Sequence, residues 1–293
     1  MTADRMPLLS DACLATLLAG DVDAQTWVDT LPSTLEHVLR TWELTFDSPI
    51  YGGHTGCVAA VHHEELGDCV VKIVCDKGLY RWGQDSIEAL SASGAIVAAL
   101  AFSDEHQAVL LPRLVPGQPA NSGFPVDQLA ALLRRLHASP PKQGLPSCNR
   151  VGLHWLESAR LVAIPEDVEL LDQAQQALAA MPARPDVTLH GDLSPSNLLD
   201  GGPLGWLFID SEAMVGAVEH DLAGWSLRAQ QDATALARCV ELTAALGADR
   251  SVAMTWLFVF AVVESVNHRV QGFVDQSVRE RGVAQDLSIL LKG

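Results

Sequence analysis

The alternating pattern typical of β-strands is confined to one early part of this chain. Residues 1 to 45 instead carry apolar side chains at spacings of three and four, which predicts amphipathic helices. The stretch SPIYGGHTGCVAAVHHEELGDCVVKIV then indicates three strands, joined by a Gly-bearing turn and by a Gly67-Asp68 turn. A further strand is indicated at HQAVLLP, before a segment rich in Pro and Gly. The strands therefore favour one small sheet near the N-terminus.

Helical spacing occurs at SIEALSASGAIVAALA, with a break near Gly94, and dominates from Val126 onward. Two short apolar strands, VTLH and GWLFID, interrupt it between residues 187 and 213. This order predicts an α+β chain of two lobes. We place a small β-rich lobe with N-terminal helices at 1–110, a hinge at 111–118, and a larger, mainly helical lobe at 119–293.

Charge and cysteine usage narrow the class of function. A formal charge of −17 argues against nucleic acid as a partner, since phosphate binding needs a basic face. It suits a cationic substrate, although solubility alone would also explain it. The six cysteines show no C-x-x-C pair, which fits a reducing cytosol. We find no signal peptide, and the longest apolar run, Trp256 to Val263, is too short to span a membrane. We therefore expect a cytoplasmic protein without a membrane partner.

The segment LHGDLSPSNLL, residues 189–199, places polar side chains between apolar flanks. A loop of this spacing can fold back so that the carboxylate of Asp192 and the amide oxygen of Asn197 face one cavity. A second carboxylate, Asp210, ends the apolar strand LFID. Phosphoryl transfer needs such a set, because one carboxylate accepts the proton of an attacking hydroxyl while the Asn and the other carboxylate hold Mg²⁺.

Partner elements occur upstream in the sequence. The turn YGGHTG, with Gly52, Gly53 and Gly56, can expose backbone N–H groups to phosphates. Lys72 lies inside the apolar strand CVVKIV, where an ammonium group without an anionic partner costs several kcal/mol. Glu88 on the next helix can be that partner, and Asp85 is an alternative.

Together these segments resemble the protein-kinase-like fold, and most closely the aminoglycoside phosphotransferases. Within that group QTWVDTLPSTLEHVLRTWEL, LHGDLSPSNLL and FIDSEAMVGAVEHDLA are similar to the streptomycin 6-kinase branch, the aminoglycoside/hydroxyurea resistance kinases. The resemblance implies Asp192 as catalytic base and Asn197 and Asp210 as Mg²⁺ ligands. It implies that Lys72, held by Glu88, and the glycine turn contact the phosphates of the nucleotide. It also implies that adenine contacts the backbone of Leu111, Arg113 and Leu114. Structural support of the loop is implied for His190 and Asp221.

Some positions depart from that pattern. The turn YGGHTG is not a full G-x-G-x-x-G, and Ser211-Glu212 follows Asp210 where a protein kinase has Phe-Gly. Pro112 removes a donor N–H from the hinge, which leaves GTP open beside ATP.

We therefore predict an ATP- and Mg²⁺-dependent phosphotransferase that inactivates an antibiotic at a hydroxyl, in first place an aminoglycoside such as streptomycin. Candidate acceptor contacts are Glu264, Asn267 and His268, which share one helix face, and Glu212; a solvated face is the alternative. Other acceptors stay open, namely a cyclic peptide antibiotic of the viomycin and capreomycin kind or a metabolite alcohol. A nucleotide-binding pseudokinase is the alternative outside enzymes. The sequence names neither the acceptor hydroxyl nor the oligomeric state.

Overall fold

The computed structural model describes residues 7–20, 24–53, 55–182, 184–229 and 234–291. These residues fold into two compact units. The first unit contains residues 1–88 and 97–117, and the second contains 89–96 and 118–293. The predicted α+β class is confirmed, with one five-stranded sheet in the first unit and a mainly helical second unit.

The first unit begins with two helices and continues into an antiparallel sheet. Its elements are α1 (Asp11–Gly20), α2 (Ala24–Thr41), β1 (Leu44–Pro49), β2 (Gly56–His63), β3 (Gly67–Val74), α3 (Lys77–Leu90), β4 (Ala101–Ser103) and β5 (Ala108–Pro112). The strands lie in the order β1-β2-β3-β5-β4. Residues 1–6 and 21–23 of the predicted helical segment lie outside the described residues.

The two faces of this sheet have different neighbours. Because side chains alternate along a strand, Cys57, Ala59 and Val61 of β2 share a face with Val71 and Ile73 of β3. That face packs on α2, whose contribution is Leu31, Leu35 and Val38. The opposite face carries Lys72, with Val58 and Val109 as its cross-strand neighbours. The sheet register therefore places the predicted nucleotide lysine on the face away from the helix-covered core.

The second unit is built from helices around two small strand pairs. Its elements are α4 (Val126–Leu136), α5 (Cys148–Leu161), α6 (Pro165–Ala179), β6 (Val187–Leu189), β7 (Leu198–Asp200), β8 (Trp206–Phe208), β9 (Met214–Gly216), α7 (Glu219–Arg228), α8 (Ala235–Leu246), α9 (Arg250–Val270) and α10 (Val274–Leu290). Strand β6 pairs with β9, and β7 pairs with β8. The loop at residues 190–197 therefore leaves one strand pair and enters the other.

Helix α9 is the central helix of the second unit. It is apolar on every side, and its buried residues include Trp256, Phe258 and Phe260. By length and composition alone α9 could cross a membrane, but 72% of its most apolar window is buried within the fold. That burial is what a core helix shows.

Two local expectations differ from the structure. The hairpin between β2 and β3 turns at residues 64–66, with His63 paired to Gly67, so Gly67-Asp68 opens the strand instead of forming the turn. The helix expected over SIEALSASGAIVAALA begins earlier, at Lys77, and ends at Leu90 with a short 3₁₀ turn. Gly94 then adopts φ +61°, a left-handed conformation that ends the helical path.

Candidate active site

The loop after β6 makes a close approach that requires glycine. Gly191 has φ +86°, and a Cβ atom built on it would lie 1.9 Å from the carbonyl oxygen of Glu212. The main-chain N–H of Glu212 donates to the carbonyl of His190 at 2.9 Å, which holds the two segments together. Any side chain at position 191 would therefore separate the loop from the segment that follows Asp210.

Asp221 lies behind this loop and accepts its backbone N–H groups. Its fully buried carboxylate receives the N–H of His190 at 2.8 Å and that of Gly191 at 3.1 Å. The imidazole of His137, just after α4, contacts the same carboxylate at 2.9 Å, and His220 contacts it at 3.4 Å. Burial opposes ionisation of Asp221, but the hydrogen bonds from both histidines outweigh it and hold its pKa well below the ordinary value.

His190 has a fixed ring orientation. Its Nδ1 lies 3.3 Å from the N–H of Asp192, which can only donate, so Nε2 carries the proton and donates to the carbonyl of Ile209 at 3.0 Å. The ring also stacks edge-on against Phe208. Burial lowers the pKa of His190, so the ring is neutral and serves as a brace between the loop and the segment before Asp210.

Asn197 closes the loop onto Asp192. Its side-chain amide donates to the carbonyl oxygen and to the Oδ2 atom of Asp192, each at 2.9 Å. The carboxylate keeps partial access to solvent, with 39% of the side chain exposed. Because the amide nitrogen is directed at Asp192, the amide oxygen is the end of Asn197 that remains for another partner.

Asp210 lies beside Asn197 along the chain path. The N–H of Ile209 donates to the carbonyl of Asn197 at 2.9 Å, so the β7–β8 pair continues to this point. Asp210 then adopts φ +53° with an exposed side chain. The carboxylates of Asp192 and Asp210 are both close enough to favour a proton on His190. Both carboxylates therefore lie near the same buried ring.

The donors at this site suit Mg²⁺. Within the described residues no group of three or more His, Cys, Asp or Glu side chains is arranged to hold a metal ion. Magnesium does not need one, because it is commonly held by one or two carboxylates together with substrate phosphates and water. The amide oxygen of Asn197 and the carboxylate of Asp210 are hard oxygen donors of that kind.

Arg228, at the end of α7, is a site residue that the sequence did not indicate. Its Nη1 lies 3.0 Å from Oδ1 of Asp192, while Nη2 and Nε lie 2.8 and 2.9 Å from Oε1 of Glu264. The guanidinium also stacks over the ring of Phe260 at 5.2 Å. Burial opposes its charge, but the carboxylates of Glu264 and Asp192 outweigh burial and raise the pKa of Arg228.

The four candidate acceptor residues are not equally available. Glu264 is paired with Arg228, and His268 contacts both carboxylate oxygens of Glu280 at 2.7 and 2.9 Å. Asn267 is exposed, and Glu212 is half-buried and close enough to Arg228 to favour its charge. Of these, Glu264 and Glu212 lie with the Asp192 loop, whereas His268 belongs to a separate pair with α10.

In the first unit, Gly56 is also required by a close approach. A Cβ atom on it would lie 2.2 Å from the carbonyl oxygen of Ile73 on the neighbouring strand. Gly52 has φ +135°, a conformation that favours glycine, and a Cβ atom on Gly53 would meet no close contact. His54 of the same turn lies outside the described residues. Lys72 is half-buried and Glu88 is exposed, and neither is free of partners.

The hinge strand has a defined direction for its backbone groups. The N–H of Arg113 donates to the carbonyl of Asp68 at 3.0 Å, and its side chain pairs with Asp47 at 3.1 Å. Because hydrogen-bonding residues alternate in an antiparallel ladder, Leu111 also directs its N–H and C=O toward β3. The carbonyl of Pro112 therefore faces away from β3, and Leu114 follows beyond the strand.

Two site residues, Arg228 and His137, had only weak signals in the sequence. Arg228 is the last residue of a helix in which residues 219–227 are all buried, so a charged side chain directly follows a buried segment. It also falls two turns after Asp221 on the same helix face. His137 follows an amphipathic helix and looks like an ordinary helix-end histidine.

Comparison with known proteins shows the family of this chain. The sequence profile of the aminoglycoside/hydroxyurea antibiotic resistance kinases matches residues 41–272. The chain belongs to this family. The predicted resemblance and the predicted enzyme class, a phosphotransferase, are thereby confirmed.

Curated relatives of this antibiotic resistance kinase cover most of its length. Streptomycin 6-kinase of Streptomyces griseus is 28% identical over 263 residues, covering 81% of this chain and 83% of the relative. Hydroxyurea phosphotransferase of Kitasatospora aureofaciens is 26% identical over 279 residues, covering 92% and 82%.

Solved structures place the chain in the kinase-like fold that the sequence predicted. Choline kinase LicA from Streptococcus pneumoniae superposes with a TM-score of 0.70 at 15% identity, covering 89% of this chain and 99% of that chain. A thermostable mutant of aminoglycoside phosphotransferase APH(4)-Ia, in ternary complex with ADP and hygromycin B, has a TM-score of 0.63 at 13% identity, covering 86% and 97%.

Proposed function

We propose that this kinase transfers the γ-phosphoryl group of ATP, with Mg²⁺, to a hydroxyl of an aminoglycoside antibiotic such as streptomycin. Family membership supports phosphoryl transfer, and the relatives named streptomycin 6-kinase support the acceptor class. The observation that carries the proposal is the Asp192 carboxylate, partly exposed and held by Asn197 on a loop anchored at Asp221.

Asp192 takes the role of proton acceptor for the attacking hydroxyl. The acceptor's O–H donates to the carboxylate, and the proton passes to it as the acceptor oxygen bonds to the γ-phosphorus. The bond from that phosphorus to the β-phosphate oxygen breaks in the same step, and ADP leaves. A fixed carboxylate favours this step because positioning supplies most of the catalysis in phosphoryl transfer. The backbone bonds to Asp221 and the clasp of Asn197 provide that rigidity.

Asn197 and Asp210 take the role of magnesium ligands. The ion would neutralise charge on the transferred phosphate oxygens. Asn197 can serve both tasks, because its amide nitrogen holds Asp192 and its amide oxygen is left for the cation. This dual use gives a physical reason for asparagine here, since an aspartate in its place would set a second carboxylate against Asp192.

The first unit supplies the groups for the nucleotide. Lys72 would contact the α- and β-phosphates, with Glu88 as its partner, and the glycine turn would offer backbone N–H groups. On the hinge, strand register favours the carbonyl of Pro112 and the backbone of Leu114 over Leu111 and Arg113 as adenine contacts. A carbonyl acceptor pairs with the amino group of adenine, which GTP lacks at that position, so this arrangement favours ATP.

The acidic character of the chain supports a cationic acceptor over a neutral one. The net charge of −17 raises the local concentration of cations, and streptomycin carries guanidinium groups. Hydroxyurea is a second candidate because the chain aligns over 92% of its length with a hydroxyurea phosphotransferase. Hydroxyurea is neutral, so capture by charge would not assist it.

A coupled ADP-release assay tests the proposal directly. The purified chain is incubated with ATP, Mg²⁺ and one acceptor at a time: streptomycin, other aminoglycosides, a viomycin-type cyclic peptide or hydroxyurea. The mass of each product is measured by mass spectrometry. We expect one added phosphate on an aminoglycoside. Its kcat/KM should fall as the salt concentration rises, because salt screens the attraction between the acidic protein and the cationic acceptor. A phosphate on hydroxyurea alone would select the second candidate, and ADP release without any phosphorylated acceptor would reject both.

A further inference from the structure

Arg228 is the charged group in direct contact with the carboxylate proposed as proton acceptor. We propose that Arg228 is a positioning residue, which holds the Asp192 carboxylate in a fixed orientation, and that Glu264 anchors Arg228 instead of binding the acceptor. This inference rests on the proposed function, since it assigns a task within the same site.

The contacts of Arg228 form a two-sided clamp on Asp192. Nη1 of Arg228 lies 3.0 Å from Oδ1, and the amide of Asn197 donates to Oδ2 at 2.9 Å. The same Nη1 atom also donates to the carbonyl of Leu193 at 3.3 Å. With one donor on each oxygen and a bond to the next carbonyl, the carboxylate has little freedom to rotate.

Glu264 and Phe260 hold the guanidinium from the opposite side. Glu264 is only 14% exposed and accepts from both Nε and Nη2 of Arg228 at one oxygen, Oε1. Phe260, one turn earlier on the same core helix, lies beneath the guanidinium plane at 5.2 Å. A planar group with several donors is needed for all these contacts, which a lysine ammonium cannot reproduce. The arrangement therefore favours a fixed arginine over a mobile surface charge.

Charged groups around the clamp come from three elements. Asp192 on the loop, Glu212 after Asp210, and Glu264 on α9 all favour the cation of Arg228. His190 is neutral because burial lowers its pKa, and Asp210 is close enough to that ring to favour a proton on it. Arg228 is consequently a positive group that balances the carboxylates at this point, and its removal takes away the cation in contact with Asp192.

The test compares Arg228→Met, Arg228→Lys and Glu264→Gln with wild type. For Arg228→Met we expect kcat to fall about 100-fold with nucleotide KM nearly unchanged, because only the placement of the proton acceptor is lost. Arg228→Lys should restore only part of kcat, because an ammonium group cannot reproduce the contacts of the guanidinium plane.

Arg269→Met is the matched control. Arg269 is 28% exposed, against 25% for Arg228, and it pairs with a buried carboxylate, Asp167, at 2.9 Å and with the carbonyl of Val162. We expect this control to lose stability but to keep kcat. A kcat within about twofold of wild type in Arg228→Met would overturn the inference. A rise in acceptor KM without loss of kcat in Glu264→Gln would assign Glu264 to the acceptor instead.

A substrate-free measurement separates this inference from the proposed function. Unfolding free energies of Asp192→Asn, Arg228→Met and the double variant form a double-mutant cycle. Non-additive values support the clamp even where no tested acceptor is phosphorylated, an outcome that would reject the proposed function alone. Additive values would overturn the clamp whatever the acceptor proves to be.

Discussion

Asn197 donates its side-chain amide to both the carbonyl oxygen and the carboxylate of Asp192, at 2.9 Å in each case. These hydrogen bonds close residues 192–197 into a compact loop, in which the side chains of Asp192 and Asn197 are in contact. The carbonyl oxygen of Asn197 also accepts a hydrogen bond from the N–H of Ile209, so this loop is bonded to the residue before Asp210. The arrangement of Asp192, Asn197 and Asp210 thus depends on hydrogen bonds within one short stretch of chain.

Substitution of Gly191 by Ala should disrupt the catalytic loop. The new Cβ would combine φ +86° with an approach of 1.9 Å to the carbonyl of Glu212. We expect a loss of about 3 kcal/mol of unfolding free energy and nearly complete loss of turnover. Gly205→Ala is the control, since it shares a positive φ of +74° but meets no atom within 4 Å. It should cost about 1 kcal/mol with activity retained. Equal losses in urea unfolding would contradict the packing described.

Substitution of Asp221 by Asn should destabilise the second unit. The buried carboxylate accepts from two backbone N–H groups and two histidines, and the amide cannot accept from all of them. We expect a loss of about 3 kcal/mol at pH 7. Because the folded pKa is depressed, the stabilisation is present above the unfolded value of about 4 and is lost as pH falls below it.

The deficit of Asp221→Asn in urea unfolding should therefore shrink at acid pH. Asp172→Asn is the control, because Asp172 pairs with Arg160 at 2.7 Å on the surface and its loss should cost less than about 1 kcal/mol. A deficit for Asp221→Asn that stays constant from pH 7 down to pH 2 would contradict the assigned charge.

Glu280 should make the stability of α10 depend on pH near neutrality. Burial raises its pKa to about 7, despite its hydrogen bond with His268. An acid with a raised folded pKa stabilises the fold below its unfolded value, and this stabilisation is lost as pH rises through about 7. Glu280→Gln, which stays neutral, should therefore gain in Tm relative to wild type between pH 5.5 and 8.5. A relative loss over that interval would show that Glu280 is stabilised as a carboxylate.

Substitution of Lys72 by Met should weaken nucleotide binding. The methionine fills a similar volume between Val58 and Val109 but removes the cation proposed for the phosphates. We expect nucleotide KM to rise at least about tenfold, with acceptor KM nearly constant. Lys77→Met at the exposed start of α3 is the control and should behave as wild type. Titration calorimetry with ADP distinguishes binding from chemistry, and unaltered ADP affinity in Lys72→Met would reject this role.

Local patterns in the sequence predicted the elements that carry the motif. Alternation around Lys72 and helical spacing after Val126 are properties of neighbouring residues, and both were confirmed as strand and helices. The hairpin turn was misplaced because Gly67 suggested a turn, whereas its φ of +76° serves the first position of β3. Sequence alone cannot separate those two uses of one glycine.

Contacts between distant segments were not predictable in the same way. Arg228 meets Asp192 and Glu264 only because α7 and α9 pack together, and no spacing in the sequence expresses that packing. Glu264 was predicted for the acceptor because it lies on an otherwise apolar helix. The structure pairs this carboxylate with Arg228.

Turnover of Asp192→Asn tests the central claim most directly. The amide keeps the size of the side chain but cannot take a proton from the acceptor hydroxyl. With the acceptor that wild type phosphorylates, we predict a fall in kcat of about 1,000-fold while ADP affinity remains close to wild type and the variant remains folded. A variant that retains a tenth or more of wild-type kcat would show that Asp192 is not the proton acceptor.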